Sequence, residues 1–393
     1  MRDNVYIDVY CKQINHVGEL ICGDVFLSKR IKEENRTIVV LSDGMGSGVK
    51  ANVLATLTAT MAVNFTLEHK EVKKTAEIIM NTLPVCSVRQ VSYSTFTIVD
   101  IDHKGFTRIV EYDNPKCVIM RGIKEIDPNW EEVEIETDNA GKIIRVCEFS
   151  AQKEDRIIFC SDGIVQSGMG SRQFPFGWEY SGYLNYVVDK VGHQPYVSAR
   201  KLSNMVVNKA VLNDDSSSKD DTSCGVIYFR EPRKLLLCTG PPFDPKRDME
   251  LAVRVQQFKG KKILCGGTTS EIIARELGLK FSAGMDITDP ELPPISYVEG
   301  INLVTEGILT IGKVVRILED YDSNTILGEG PADQIVTHFI KSDYITIIIG
   351  TKINIAHQDP SLPVELEIRR NVIKRIVKLL EEKFLKDVNV TYL

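Results

Sequence analysis

The segment 37–51, TIVVLSDGMGSGVKA, constrains the fold of this chain more than any other. Its four apolar, β-favouring residues predict a short buried strand, and the turn after the strand places three glycines around the carboxylate of Asp43. A helical pattern follows, in which Val53, Leu57 and Met61 lie largely on one face. Asp43 should therefore lie where a strand meets a turn, near backbone oxygens, and this setting suits a hard metal ion. The alternative is a plain turn, since Asp-Gly is a common turn pair.

The composition is that of an ordinary globular protein, with 393 residues, 43% of them hydrophobic and 26% charged. This length favours two or three domains. The net charge of −6 argues against a nucleic-acid partner. Nine scattered cysteines without a signal-peptide pattern indicate reduced thiols and a cytoplasmic location. No apolar run approaches the roughly 20 residues that a membrane span requires, so no membrane association is expected.

Three further carboxylates occur in settings that match that of Asp43. Asp24 follows a glycine inside an apolar stretch, and Asp162 belongs to a second Ser-Asp-Gly turn directly after the apolar segment RIIFC. Asp220 and its neighbour Asp221 stand just before the strand-like segment 224–229. Single acids in loops usually face solvent, but four at strand edges are better explained by one shared site.

Carboxylates that converge on one point repel each other, so a shared site requires cations between them. Oxygen ligands alone favour Mg²⁺ or Mn²⁺ over Zn²⁺, and the six histidines show no ligand spacing. Two such ions would suit phosphoryl chemistry, because together they activate water and neutralise phosphate oxygens.

The order of these motifs resembles that of a known family. The segments are GD at 23–24, VVLSDGMGSG at 39–48, YSTFTIVDID at 93–102, IIFCSDGI at 157–164 and DDTS at 220–223. Together they resemble the metal-dependent protein phosphatases of the protein phosphatase 2C type, and among these the stage II sporulation protein E branch. The likeness covers residues 1 to about 230. It implies an α+β fold, an α-β-β-α sandwich with two antiparallel sheets, and hydrolysis of phosphoserine or phosphothreonine in a protein.

The resemblance also implies a role for each acid. Asp43 would bridge two Mn²⁺ or Mg²⁺ ions at the catalytic centre, and the carbonyl of Gly44 would bind one of them. Asp24 would ligate the ion on that side, mostly through water. The remaining assignments are Asp162 and Asp220 for the second ion, with Asp221 as a supporting neighbour.

Two positions depart from the family pattern. Eukaryotic members carry a histidine, a candidate general acid, where this chain has Met45. Ser223 stands where the fourth motif usually has threonine. The proton source for the leaving group and the phosphate contacts beyond the metals are therefore unassigned.

Residues 231–393 read as a smaller α/β domain, since strands and helices alternate there. A strand at 261–265 leads into a polar, glycine-rich turn and a helix. Backbone N–H groups at such a turn are suited to a phosphate, although the Walker ending is missing. The alternative is a tight turn with a Ser or Thr N-cap. The candidate phosphate-binding residues are Gly266, Gly267, Thr268, Thr269 and Ser270.

We therefore expect a protein serine/threonine phosphatase of bacterial signalling in residues 1–230, followed by a regulatory or ligand-binding domain. The expected partner is a phosphorylated protein, with a small phosphate ligand as a candidate for the second domain and the oligomeric state open. Two alternatives are a non-catalytic scaffold that binds a phosphoprotein and a small-molecule phosphate activity in the second domain. Within the first domain, 127–140 is predicted as a solvated connection and 168–182 as a loop over a surface.

Overall fold

The computed structural model describes residues 5–68, 72–82, 94–135, 142–322, 325–352 and 365–393. The contacts divide the chain into two compact units, Met1–Glu231 and Pro232–Leu393. No helix in these described ranges is long and apolar enough to cross a membrane.

The first unit contains eleven described strands and five described helices. In chain order they are β1 Tyr6–Ile14, β2 Val25–Ile31, β3 Arg36–Gly44, α1 Gly48–Leu67, α2 Val72–Thr82, β4 Ser94–Ile101, β5 Phe106–Tyr112, β6 Val118–Arg121, β7 Lys124–Glu125, β8 Glu131–Ile135, β9 Lys142–Ser150, β10 Asp155–Cys160, α3 Asp162–Val165, α4 Glu179–His193, α5 Ala199–Asn213 and β11 Thr222–Arg230.

These strands form two antiparallel sheets. One has the order β1-β11-β10-β6-β7, and the other has the order β2-β3-β4-β5-β9-β8. Alternate residues of β3 point to opposite sides, as the pleat of a strand requires. Val39 and Leu41 join a core with Phe159 and Ile227 of the other sheet, whereas Ile38 packs with the helices outside.

Helices cover the outer face of each sheet. Helices α1 and α2 pack on the six-stranded sheet, and α4 and α5 pack on the five-stranded sheet. The first unit is thus an α-β-β-α sandwich, and the predicted fold class is confirmed.

Helix α1 buries a face that its pattern of large apolar residues did not indicate. Ala51, Ala55 and Ala59 are fully buried, whereas Val53 and Leu57 are 59% and 44% exposed. The small side chains let the helix axis approach the sheet closely, because the valine, leucine and isoleucine side chains of the strands already fill the space between.

The second unit is an α/β domain, as predicted, and the structure adds that its sheet is parallel with helices on both faces. Its elements in chain order are β12 Lys234–Thr239, a 3₁₀ turn Pro245–Arg247, α6 Asp248–Gln257, β13 Lys261–Cys265, α7 Gly267–Leu277, β14 Phe281–Ser282, β15 Tyr297–Val298, β16 Leu303–Thr305, α8 Ile308–Asp320, α9 Pro331–Lys341, β17 Tyr344–Ile349, α10 Glu365–Glu382 and β18 Asp387–Tyr392. Five strands pair in parallel in the order β16-β13-β12-β17-β18. Helices α6 and α7 pack on one face, and α8, α9 and α10 pack on the other.

Two predicted loops of the first unit are partly regular structure. Within the predicted solvated connection, β8 pairs with β9 and buries Ile135; residues 136–140 lie outside the described ranges. The acids of β8 misled the prediction, because an edge strand can keep charged residues on its open face. The predicted surface loop at 168–182 ends earlier than expected, since α4 already begins at Glu179.

We propose that the two units are independent domains and predict that each folds alone. Residues 1–231 and 232–393, expressed separately, should each give a cooperative thermal transition and a dispersed amide NMR spectrum, since each has its own hydrophobic core. A piece that shows neither property would contradict the domain boundary.

Candidate metal centre

The predicted metal ligands lie at one end of the two sheets of the first unit. Asp24 precedes β2, and the pairing of Val25 with Ser42 places it beside Asp43 at the end of β3. Asp162 begins α3 directly after β10, and Asp220 lies just before β11, the neighbour of β10. Since the two sheets face each other, the fold brings four carboxylates from distant parts of the chain to one edge of the sandwich.

Glycines next to these acids allow the close approach of the surrounding backbone. A Cβ on Gly23 would lie 2.6 Å from a carboxylate oxygen of Asp221. A Cβ on Gly44 would overlap the carbonyl oxygen of Ala51 in α1, and one on Gly163 would overlap the carbonyl oxygen of Asp221. The glycine beside each of these acids is therefore a packing requirement as well as a turn signal.

Burial and like charges oppose ionisation of Asp43. Burial raises the pKa of its carboxyl well above the usual range, and the charges of Asp24, Asp162 and Asp220 raise it further. Burial likewise raises the pKa of Asp220 to about 6, with a contribution from Asp162. Without a cation, the cluster holds protons that isolated aspartates would release.

Asp24 is the most enclosed member of the cluster, with 2% of its surface exposed. Burial raises its pKa to about 7, and the nearby hydroxyls of Ser223 and Ser161 offset only part of this effect. Asp221 adds repulsion. Neither carboxylate oxygen of Asp24 has a hydrogen-bond partner among the described residues. A buried carboxylate without partners is costly, and a bound cation would remove that cost.

The acids of the cluster offer only oxygen donors, which are the ligands that Mg²⁺ and Mn²⁺ prefer. Among the described residues, no three acidic, histidine or cysteine side chains converge on one point closely enough to hold an ion. Mg²⁺ usually keeps several waters and takes only one or two carboxylates.

Asp221 contacts the chain around the site. One of its carboxylate oxygens accepts the backbone N–H of His16 at 3.0 Å, and its backbone carbonyl accepts the hydroxyl of Ser161 at 3.4 Å. Its second carboxylate oxygen is buried and has no hydrogen-bond partner among the described residues. These contacts are those of a residue that positions the loops around the acids, and its supporting role stays a prediction.

Two residues near the cluster were missed from the sequence. The side-chain amide of Gln166 donates to Oδ2 of Asp162 at 2.7 Å and thereby fixes the orientation of that carboxylate. Asp113 has its pKa raised by burial and by the charge of Asp162, so it lies close enough to interact with the cluster. The only sequence signal for Asp113 was its place in the turn-like run Asp-Asn-Pro, which gives no indication of its spatial neighbours.

The glycine-rich turn of the second unit begins a helix without a side-chain cap. Gly266 is the N-cap with φ of 128°, and no side chain of the described residues caps it. The predicted alternative, a Ser or Thr N-cap, is therefore wrong: Ser270 instead donates its hydroxyl to the carbonyl of Gly266 at 2.9 Å. A Cβ on Gly267 would lie 3.7 Å from a carboxylate oxygen of Glu306. That negative charge opposes a second anion, and phosphate binding at this turn stays a prediction.

Comparisons with known proteins identify the family of the chain. The family model described as stage II sporulation protein E (SpoIIE) matches residues 33–230, half of the chain. The chain belongs to the SpoIIE family. No curated protein matches it.

Several solved structures are similar to part of the chain. The phosphatase domain of Bacillus subtilis SpoIIE, with a fragment of its regulatory domain, is 15% identical with a TM-score of 0.46; the match covers 58% of this chain and 65% of that one, less than two thirds. The RsbU and RsbW domains of a Mycobacterium tuberculosis protein are 14% identical, with a TM-score of 0.46 and coverage of 65% and 68%. A serine/threonine phosphatase of S. agalactiae is 11% identical, with a TM-score of 0.40 and coverage of 57% and 99%.

The raised pKa values predict that the metal-free protein loses stability as the pH rises. Asp24 titrates near pH 7 in the folded state and near 3.9 when unfolded, so the folded state holds more protons between these values. Thermal unfolding in EDTA should therefore give a lower Tm at pH 8 than at pH 5.5, with a smaller difference in Asp24→Asn. Mn²⁺ should raise the Tm more at pH 8. Equal pH profiles for the two proteins in EDTA would contradict the assignment.

The packing of Gly163 predicts a large cost for one added methyl group. Gly163→Ala should lower the free energy of unfolding by about 1–3 kcal/mol, because its Cβ would overlap the backbone of Asp221. The control is Gly192→Ala in α4, where a Cβ meets nothing within 4 Å and should be neutral or slightly stabilising. Urea denaturation of both variants measures the difference, and equal stabilities would contradict this packing.

Proposed function

We propose that residues 1–231 hydrolyse phosphoserine or phosphothreonine esters of a protein with the help of two Mn²⁺ or Mg²⁺ ions. One observation carries the proposal: in a chain of the SpoIIE family, the buried Asp24, whose two carboxylate oxygens have no hydrogen-bond partner among the described residues, lies beside other carboxylates that are half-buried at the edge of two facing sheets. Such a cluster is stable in its charged form only with cations between its members.

The proposed roles of the acids are those that the resemblance to this phosphatase family implies, and the repulsion among the acids supports them. Asp43 is repelled by acids of both sheets, so it is the member best placed to be shared between two ions. Asp24 and the carbonyl of Gly44 would hold one ion, and Asp162 and Asp220 would hold the other. When bound, such ions supply charge neutralisation for phosphate oxygens and lower the pKa of a coordinated water.

The protein itself supplies orientation. The amide of Gln166 fixes the carboxylate of Asp162, and the N–H of Asp221 donates to Oδ1 of Asp220 at 2.8 Å. Met45 has no exchangeable proton, so the leaving serine or threonine oxygen must take its proton from water or from another residue.

The proposed function predicts that Asp43→Asn abolishes activity while the fold survives. In the wild-type protein, hydrolysis of p-nitrophenyl phosphate and of a phosphoserine peptide should depend on Mn²⁺. In Asp43→Asn both activities should fall by at least ~100-fold, since mutation of a residue that only hydrogen-bonds a metal ligand already lowers activity by about 10–100-fold. Calorimetry should show weaker Mn²⁺ binding. The matched control is Asp189→Asn, an exposed acid of α4 paired with Lys190, which should keep full activity.

Two results would contradict the proposal. Near-normal activity of Asp43→Asn at saturating Mn²⁺ would contradict the proposal that Asp43 holds two metal ions. A wild-type protein that binds a phosphopeptide without hydrolysing it would instead favour the non-catalytic scaffold.

A further inference from the structure

A cavity of about 420 Å³ opens beside α3 in the first unit. Apolar and aromatic side chains supply much of its wall, namely Pro115, Val165, Phe176 and Tyr180. Phe176 is 77% exposed, an unusual state for a phenylalanine of a folded domain. The cavity is large enough for one or two side chains of a bound polypeptide, and its lining favours apolar ones.

The cavity adjoins the candidate metal centre. Gln166 lines the cavity with its side chain and donates a hydrogen bond to Oδ2 of Asp162 at 2.7 Å. A polypeptide with its phosphorylated residue at the acidic cluster would therefore pass the cavity within a few residues, since an extended chain advances about 3.3 Å per residue.

The loop that carries Phe176 is held in place by backbone packing. Gly177 has φ of 89°, and a Cβ there would lie 2.8 Å from the carbonyl oxygen of Val165 and 2.9 Å from the Cα of Gln166. Glu179, which also lines the cavity, has φ of 60°. Such backbone strain in a non-glycine residue is more frequent at functional sites. The loop that carries Phe176 therefore packs closely against the backbone at Val165 and Gln166.

The two cations of the cavity already have partners. Arg145 forms an ion pair with the buried Glu111 at 2.9 Å and donates to the carbonyl of Asn114 at 2.7 Å. Lys116 lies 5.8 Å from the ring centre of Trp130. Because Glu179 adds a negative charge, the cavity is not built to select an acidic side chain.

We propose that this cavity is a specificity subsite that binds a large apolar side chain of the phosphoprotein substrate, close in sequence to the phosphorylated residue. The inference rests on the proposed phosphatase function and adds a substrate preference to it. Phe176 is a binding residue of this subsite and takes no part in the chemical step.

The test compares phosphoserine peptides in which a single leucine or phenylalanine is moved along either side of the phosphoserine. In the wild-type protein with Mn²⁺, one or two placements should raise kcat/KM by about 10-fold or more over an all-alanine background, since an apolar pocket discriminates by about 10–200-fold. Phe176→Ala should remove this preference, and Phe176→Leu should retain most of it. Hydrolysis of p-nitrophenyl phosphate, which has no flanking residues, should be unchanged in both variants.

Tyr196→Ala is the matched control, because this aromatic is 81% exposed and lies outside the cavity. It should keep the wild-type preference. An equal preference in Phe176→Ala and wild type, or no preference at any placement, would overturn the subsite while the phosphatase function stands. A wild-type protein that hydrolyses neither p-nitrophenyl phosphate nor any peptide would refute the proposed function and the subsite with it.

Discussion

The main physical constraint on the first unit is the repulsion among several carboxylates that lie together at one end of two facing sheets. Burial and mutual repulsion raise the pKa values of Asp24, Asp43 and Asp220, so the cluster is unfavourable in its charged form unless a cation joins it. Apolar residues between the sheets and under the helices stabilise the fold.

The architecture explains how short motifs, spread over about 200 residues, make one site. Antiparallel pairing sets the acids at neighbouring strand ends, and glycines remove the side chains that would keep the elements apart. Gly44 lets α1 approach β3, and Gly163 lets α3 approach the backbone at Asp221. A methyl group at either place would move an element that carries one of these acids, so the close packing and the position of the acids have the same origin.

The second unit has a parallel sheet in which the strand order suggests a place for a ligand. In parallel sheets of this strand order, ligands usually bind beyond the carboxyl ends of the strands where the order reverses, here between β12 and β17. In this protein the two loops at that point pack backbone against backbone: the N–H of Gly350 donates to the carbonyl of Thr239 at 2.9 Å, and a Cβ on Gly350 would overlap the carbonyl of Gly240. The fold alone therefore does not assign a ligand to this unit.

The sequence by itself determined the class of fold and the residues that belong to the acidic edge. Alternating apolar patterns predicted most strands, and the repeated Asp-Gly turns singled out Asp43 and Asp162, because periodicity and turn chemistry are local properties of the chain. These sequence patterns did not predict the structure where contacts with distant residues determine it. It did not show that α1 buries its alanines, that β8 is an edge strand, or that the glycine-rich turn has no side-chain cap.

Only the tertiary structure brought together residues that have no local relation. Three features depend on the packing of α3 and its following loop against distant strands. They are the hydrogen bond from Gln166 to Asp162, the approach of Asp113 to the cluster and the cavity that Phe176 lines. Burial and the distance between charges set the pKa of Asp24, and neither quantity can be read from neighbouring residues. The carboxylates could be identified from the sequence. They lie close together only because the two sheets pack face to face, since long-range contacts place them within interaction distance.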